Sequence, residues 1–266
     1  MFKLLKYELK ARNKIIFATC IALILINLFA LISFKWGGLM SNSKGLSFSG
    51  DVDLNFTSIM SMLVAIIING VSMIVAIIMA IRILLKDIFS DSGKLLFTLP
   101  KNGCTIVGAK LISAAGEFLI YFSIILVFAA LHVMKIVKAS EAAIGKTLYL
   151  MDDLLYIAVI ALVGYVFVIV LAYFSIILFR SIAKTKSLAT VLAVIAFFAL
   201  NGAFGAIGRL IKNAMPIYIE LQKFTIESTS SASITQTSVT GLLFKIVVAI
   251  VLFAVSASII EKRVEI

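Results

Sequence analysis

The sequence predicts an all-α integral membrane protein with six transmembrane helices, and three observations predict it. First, 62% of the 266 residues are apolar and only 14% are charged, with a mean hydropathy of +1.17, too little polar surface for a water-facing domain of this size. Second, six apolar runs each reach the ~20 residues that a helix needs to cross hydrocarbon. Third, the runs are continuous rather than alternating with period two, so the backbone satisfies itself as helices and not as a barrel. The chain reads as one membrane domain, 1–266, with spans at about 15–34, 56–85, 105–134, 154–179, 188–208 and 241–260.

Before the first span, residues 1–14 place Met1, Phe2, Leu5 and Leu9 on one helical face and Lys3, Lys6, Lys10 and Lys14 on another. This predicts an N-terminal amphipathic interfacial helix in the inner headgroup layer, the other reading being a basic flank that only sets topology. The run Ile15 to Phe34 exceeds the 7–15 apolar residues of a signal peptide and is read as span one. Spans two and three are nearer 30 residues and should tilt or protrude. Span three carries Glu117 roughly 18 Å deep, where an unpaired carboxylate is expensive. Two roles for it stay open, a hydrogen bond to a neighbouring helix and a substrate or gating role. Asn27, Asn69 and Asn201 read as polar glue between helices, and Gly202, Gly205 and Gly208 with Ala203 and Ala206 as a close-packing surface on span five. Lys245 enters the last span and can snorkel outward.

Orientation follows from Lys and Arg in the flanks. Fifteen lie in the N-terminus, the segments after spans two and four, and the C-terminus; eight lie in the alternate segments, and Lys245 is the twenty-fourth. Short basic segments stay inside, which places both termini in the cytoplasm. The net charge of +11 is thereby read as topology, not nucleic-acid binding. The outer segments Ser41 to Asp53 and Ser228 to Thr240 are rich in small polar residues and read as solvated loops, while Pro216 to Leu221 is apolar enough to dip back into the interface. Cys20 and Cys104 fall at different depths and provide no disulfide framework. A single histidine, His132, leaves no metal site and little for an intramembrane enzyme.

The segment after span two is the most informative. Ser90 to Gly93 breaks the emerging helix, Leu95 to Leu99 forms a short apolar element, and Pro100 with Asn102-Gly103 turns the chain back. Exposed Leu95, Leu96, Phe97 and Leu99 would form a docking patch; burial against the chain's own helix ends is the other reading.

The run F-S-D-S-G-K-L-L-F-T-L-P from Phe89 to Pro100, followed ten residues later by Lys110-Leu111, resembles ABC-2 type transporter permeases, especially those of Gram-positive bacteria that export peptides, lipids or drugs. The basic start and the six-span layout are similar as well. The resemblance implies a coupling helix in this segment that inserts into a separate ATPase. Asp91, Gly93, Leu96, Thr98, Leu99 and Pro100 would belong to it, with Leu95 and Phe97 in the same stretch. The chain departs from the family at Lys94, where an aromatic residue is more common, and at Asn102-Gly103-Cys104, where a basic residue is often seen.

The resemblance further implies two partners in the bacterial cytoplasmic membrane: an ABC ATPase subunit, which binds ATP and Mg, and a second permease copy or paralogue. The chain is expected to be no enzyme itself. Its nearest approach to a phosphate-cradling loop is Gly145-Lys146-Thr147, with Ser140 where the first glycine should stand. A secondary transporter or channel using Glu117, or a membrane immunity or sensing component, is the alternative function.

Overall fold

The computed structural model describes residues 2–40, 46–48, 52–54, 56–89, 103–138, 146–183, 185–215, 218–219 and 237–264. Six helices account for nearly all of them: α1 (Phe2–Met40), α2 (Phe56–Phe89), α3 (Gly103–Lys138), α4 (Lys146–Ile182), α5 (Lys186–Ala214) and α6 (Val239–Val264). Each contains a stretch long and apolar enough to cross a membrane, from Arg12–Ile32 in α1 to Val239–Glu261 in α6. The helices outrun those stretches. With 39 residues α1 is ~58 Å long, against a hydrocarbon core of ~30 Å.

α1 runs from Phe2 through Lys14 into the apolar stretch as one helix rather than as two elements. The physical reason is local: no glycine or proline occurs between Met1 and Phe34 to interrupt the hydrogen-bond ladder. The amphipathic reading of residues 1–14 rests on side chains that, up to residue 9, lie outside those described.

The loops joining α1 to α2 and α5 to α6 hold the only strands among the described residues. β1 (Leu46–Phe48) pairs antiparallel with β2 (Val52–Leu54), and β3 (Tyr218–Ile219) with β4 (Thr237–Ser238). Both pairs lie in or beside the segments read as solvated or interfacial; of Pro216 to Leu221 only Tyr218 and Ile219 are described, and they pair with Ser238 and Thr237. Leu46-Ser47-Phe48 and Val52-Asp53-Leu54 alternate apolar and polar residues with the period of a strand, over stretches too short to stand out among spans.

Contacts lie at matching levels of successive helices, as in an up-and-down bundle. Asn27 meets Asn69, Phe118 stacks on Tyr165 with ring centroids 4.1 Å apart, and Phe167 meets Phe204. α3 touches α1, α2, α4 and α6, while α4 touches α2, α3, α5 and α6, so these two helices form the centre. Their shared core joins Val107, Ala114, Phe118 and Tyr121 of α3 to Tyr165, Ile169 and Tyr173 of α4, closed by Ala76, Ala80 and Leu84 of α2 and Leu23 of α1. Alanines spaced four apart on α2 let the neighbouring helix approach, and the Tyr173 hydroxyl donates to the Ala80 carbonyl at 3.1 Å. Tyr165 does the same to Ala114 of α3 at 3.2 Å.

α5 is the least enclosed helix: Leu188, Val191, Val194, Ile195 and Phe198 all face outward. Of its glycines only Gly208 approaches another helix, at Phe244 of α6; Gly202 and Gly205 face open space, and Asn201 is exposed. Asn27 and Asn69 do link helices. Each amide donates to the other's oxygen, at 3.0 and 3.2 Å, and Asn27 also donates to the Leu23 carbonyl.

This reciprocal pair is a measurable fastener between α1 and α2. A double-mutant cycle with Asn27→Leu and Asn69→Leu, read by unfolding in mixed micelles, is expected to give a coupling of about 0.5–2 kcal/mol. Each single change should cost more than the double, because it leaves one buried amide without its partner.

Candidate functional site

One face of α3 carries Lys110, Ser113, Ala114, Glu117, Phe118 and Tyr121, spaced by three or four residues, and all six are buried. Glu117 is 1% exposed, deep in an apolar bundle where a lone carboxylate would be untenable. Its partner comes from α1. The Arg12 guanidinium forms a salt bridge with the Glu117 carboxylate, and its Nη1 donates to Ser113 Oγ at 3.3 Å. The Tyr121 hydroxyl donates to Glu117 Oε1 at 3.0 Å.

The local folding that assembles this cluster is simple. On α1, Arg12, Ile16, Thr19, Leu23 and Asn27 recur at helical spacing and form the stripe turned toward α2 and α3. On α3, Ser113, Glu117 and Tyr121 stand four apart, one above the other. Packing the two helices side by side therefore sets a cation against an acid, with a hydroxyl on either side. A buried ion pair repays its desolvation only when its remaining donors and acceptors are also satisfied, and Ser113 and Tyr121 do part of that here. The Arg12–Glu117 pair is itself charge-balanced and ties α1 to α3. No group of three or more His, Cys, Asp or Glu that could hold a metal ion occurs among the described residues.

Glu117 was singled out by sequence as an isolated ionisable group, and it is bonded to a neighbouring helix through Arg12. In the sequence Arg12 reads as a topology signal, and Ser113 and Tyr121 carry no assigned role. The four-residue spacing of Ser113, Glu117 and Tyr121 was a readable sign of a polar stripe, whereas nothing local pairs it with a residue 105 positions away.

The other sequence-predicted element, with Asp91, Gly93, Leu95, Leu96, Phe97, Thr98, Leu99 and Pro100, lies outside the described residues. Its two borders are described. α2 ends at Phe89, and α3 begins at Gly103, whose backbone N–H donates to Glu261 Oε1 of α6 at 2.9 Å. A side chain at 103 would overlap the Ala257 carbonyl oxygen and come within 3.1 Å of Glu261 Cγ, so the close approach of the two helices requires glycine there.

Removing one member of the buried pair should be far more damaging than removing both. Arg12→Met or Glu117→Met alone is expected to cost about 3–5 kcal/mol in micellar unfolding, and the double change to recover most of it. Equal losses in the single and double variants would show that the two charges do not depend on each other.

Comparison of the chain with protein-family models, with curated proteins and with solved structures found no match.

Proposed function

We propose that this chain is the membrane-spanning permease subunit of an ATP-driven exporter in a bacterial cytoplasmic membrane. It would work with a separate ATPase and with a second copy or a paralogue of itself. The observation that carries this reading is the mechanical setting of α3. This helix begins directly after the 90–102 segment and is bonded at its first residue to α6, through Gly103, and about four turns further on to α1, through Glu117. A partner pulling on that segment would therefore act on three helices at once.

The layout is consistent with such a role. Up-and-down passage of six helices brings the last turn of α2 and the first of α3 to the same end as the start of α1 and the close of α6, the end where Lys and Arg concentrate and which the charge bias assigns to the cytoplasm. ATP binding in a partner there would bias the bundle between two rigid-body arrangements. The resemblance in the Phe89 to Leu111 stretch supplies the nature of the partner. Six apolar helices with few charges suit a hydrophobic or amphipathic cargo. A transporter working through Glu117 alone is less favoured, because Arg12 already engages that carboxylate.

The test is to purify the tagged chain from native membranes in mild detergent and identify its companions by mass spectrometry. An ABC ATPase should accompany the unaltered chain and be lost from the Leu96→Ala/Leu99→Ala variant at equal expression. Absence of any ATPase across several detergents would overturn the permease reading.

A further inference from the structure

The permease reading leaves open how a displacement of the 90–102 segment would reach the helices that line the far end of the bundle. The obvious route is α3 itself, but α3 is not alone at its first residue. Gly103 lies against the backbone of α6 at Ala257, and its N–H is held by the Glu261 side chain. These two contacts differ in kind. The backbone approach is steric: Ala257 is 1% exposed, it sits beside buried Ser256 and Ile260, and Ile106, Val107, Ala109 and Lys110 of α3 are buried over the same turns. The hydrogen bond is polar and lies at the rim, with Glu261 exposed to its surroundings.

Glu261 answers one of the four N–H groups that a helix start leaves without an intrahelical acceptor, and its charge suits the positive end of a 36-residue helix. Its bond spans 158 positions of sequence, so it is tertiary and owes nothing to a local turn. Being exposed, it can open and re-form without stranding a charge in hydrocarbon, unlike the Arg12–Glu117 pair. α6 in turn packs on α4 through Leu252 against Val170 and Leu171. Motion delivered to α6 at its last turns would thus reach α4.

The geometry points to Gly103 and Glu261 as a joint that carries movement of the start of α3 into α6, with Gly103 permitting the approach and Glu261 gripping the first turn of α3. Both are positioning residues, acting through the helices they connect. The inference rests on the permease reading, because it presumes a partner that moves the segment.

The experiment uses the full chain with its copurified ATPase in lipid nanodiscs. Cys20→Ser and Cys104→Ser remove the native thiols, and nitroxides are attached through Leu131→Cys on α3 and Leu243→Cys on α6, two outward-facing positions near the end opposite the termini. In the chain with Glu261 intact, ATP should shift the spin–spin distance. In Glu261→Ala the shift should be lost while the ATPase remains bound and hydrolyses ATP, and in Glu261→Gln, which keeps the acceptor oxygen, the shift should persist. Gly103→Ala should also lose it.

The joint is overturned by a shift that survives Glu261→Ala, by a shift absent with Glu261 intact, or by equal loss in the Ala and Gln variants. It is overturned as well if Glu261→Ala releases the ATPase, which would make Glu261 a docking residue. If no ATPase accompanies the unaltered chain, the permease reading fails, and the joint falls with it.

Discussion

Hydrocarbon provides no hydrogen-bond partner, so every polar group that this chain carries into the membrane must be answered by another part of the protein. α3 bears most of that demand. Glu117, Ser113, Lys110 and Tyr121 are all buried on it, and its first N–H is held from α6. The position of α1 follows from this, because the chain meets the Glu117 carboxylate with Arg12, near the start of a helix that then continues across the bundle. Where a buried hydroxyl has no such neighbour, it turns inward: Ser175 and Ser256 donate to carbonyls four residues earlier in their own helices.

Apolar packing is distributed unevenly around this polar seam. α3 and α4 meet through stacked Phe118 and Tyr165 and through tyrosine hydroxyls bonded to backbone carbonyls, contacts that require closely fitted helices. α5 stands apart, with large apolar side chains and the glycines Gly202 and Gly205 turned outward. In water such a face would signal an interaction site, but in a bilayer lipid tails cover it at no cost, so exposure of leucine, valine or phenylalanine carries little information there.

The two polar links of α3 stand at opposite ends of an energy scale. The Arg12–Glu117 pair is deep, and separating it would leave charges in a medium that solvates neither. The Glu261–Gly103 bond is at the rim, where its loss exposes groups that water or headgroups can meet. A bundle that must be both assembled and movable is served by this combination, with a fixed seam between α1 and α3 and a weaker connection between α3 and α6.

Composition and run length were enough to read six membrane-crossing helices, because hydrophobicity over twenty residues is a property of the chain itself and owes nothing to what lies beside it. The breaker-rich stretch between α2 and α3 was legible for the same reason: Gly93, Pro100 and the Asn102-Gly103 pair act through their own backbone preferences. The continuity of α1 was also available, in the lack of any glycine or proline before Phe34, but a basic start followed by an apolar run suggested two elements instead. Three-residue strands went unread because their alternation is shorter than any window that detects it. Only tertiary structure could decide that Arg12 meets Glu117, that Asn27 meets Asn69 while Asn201 faces outward, and that Gly103 lies beneath Glu261. Those pairings depend on which helices become neighbours and how they are rotated. A single helix's sequence limits which of its faces can be polar, and the choice of partner belongs to the packed bundle.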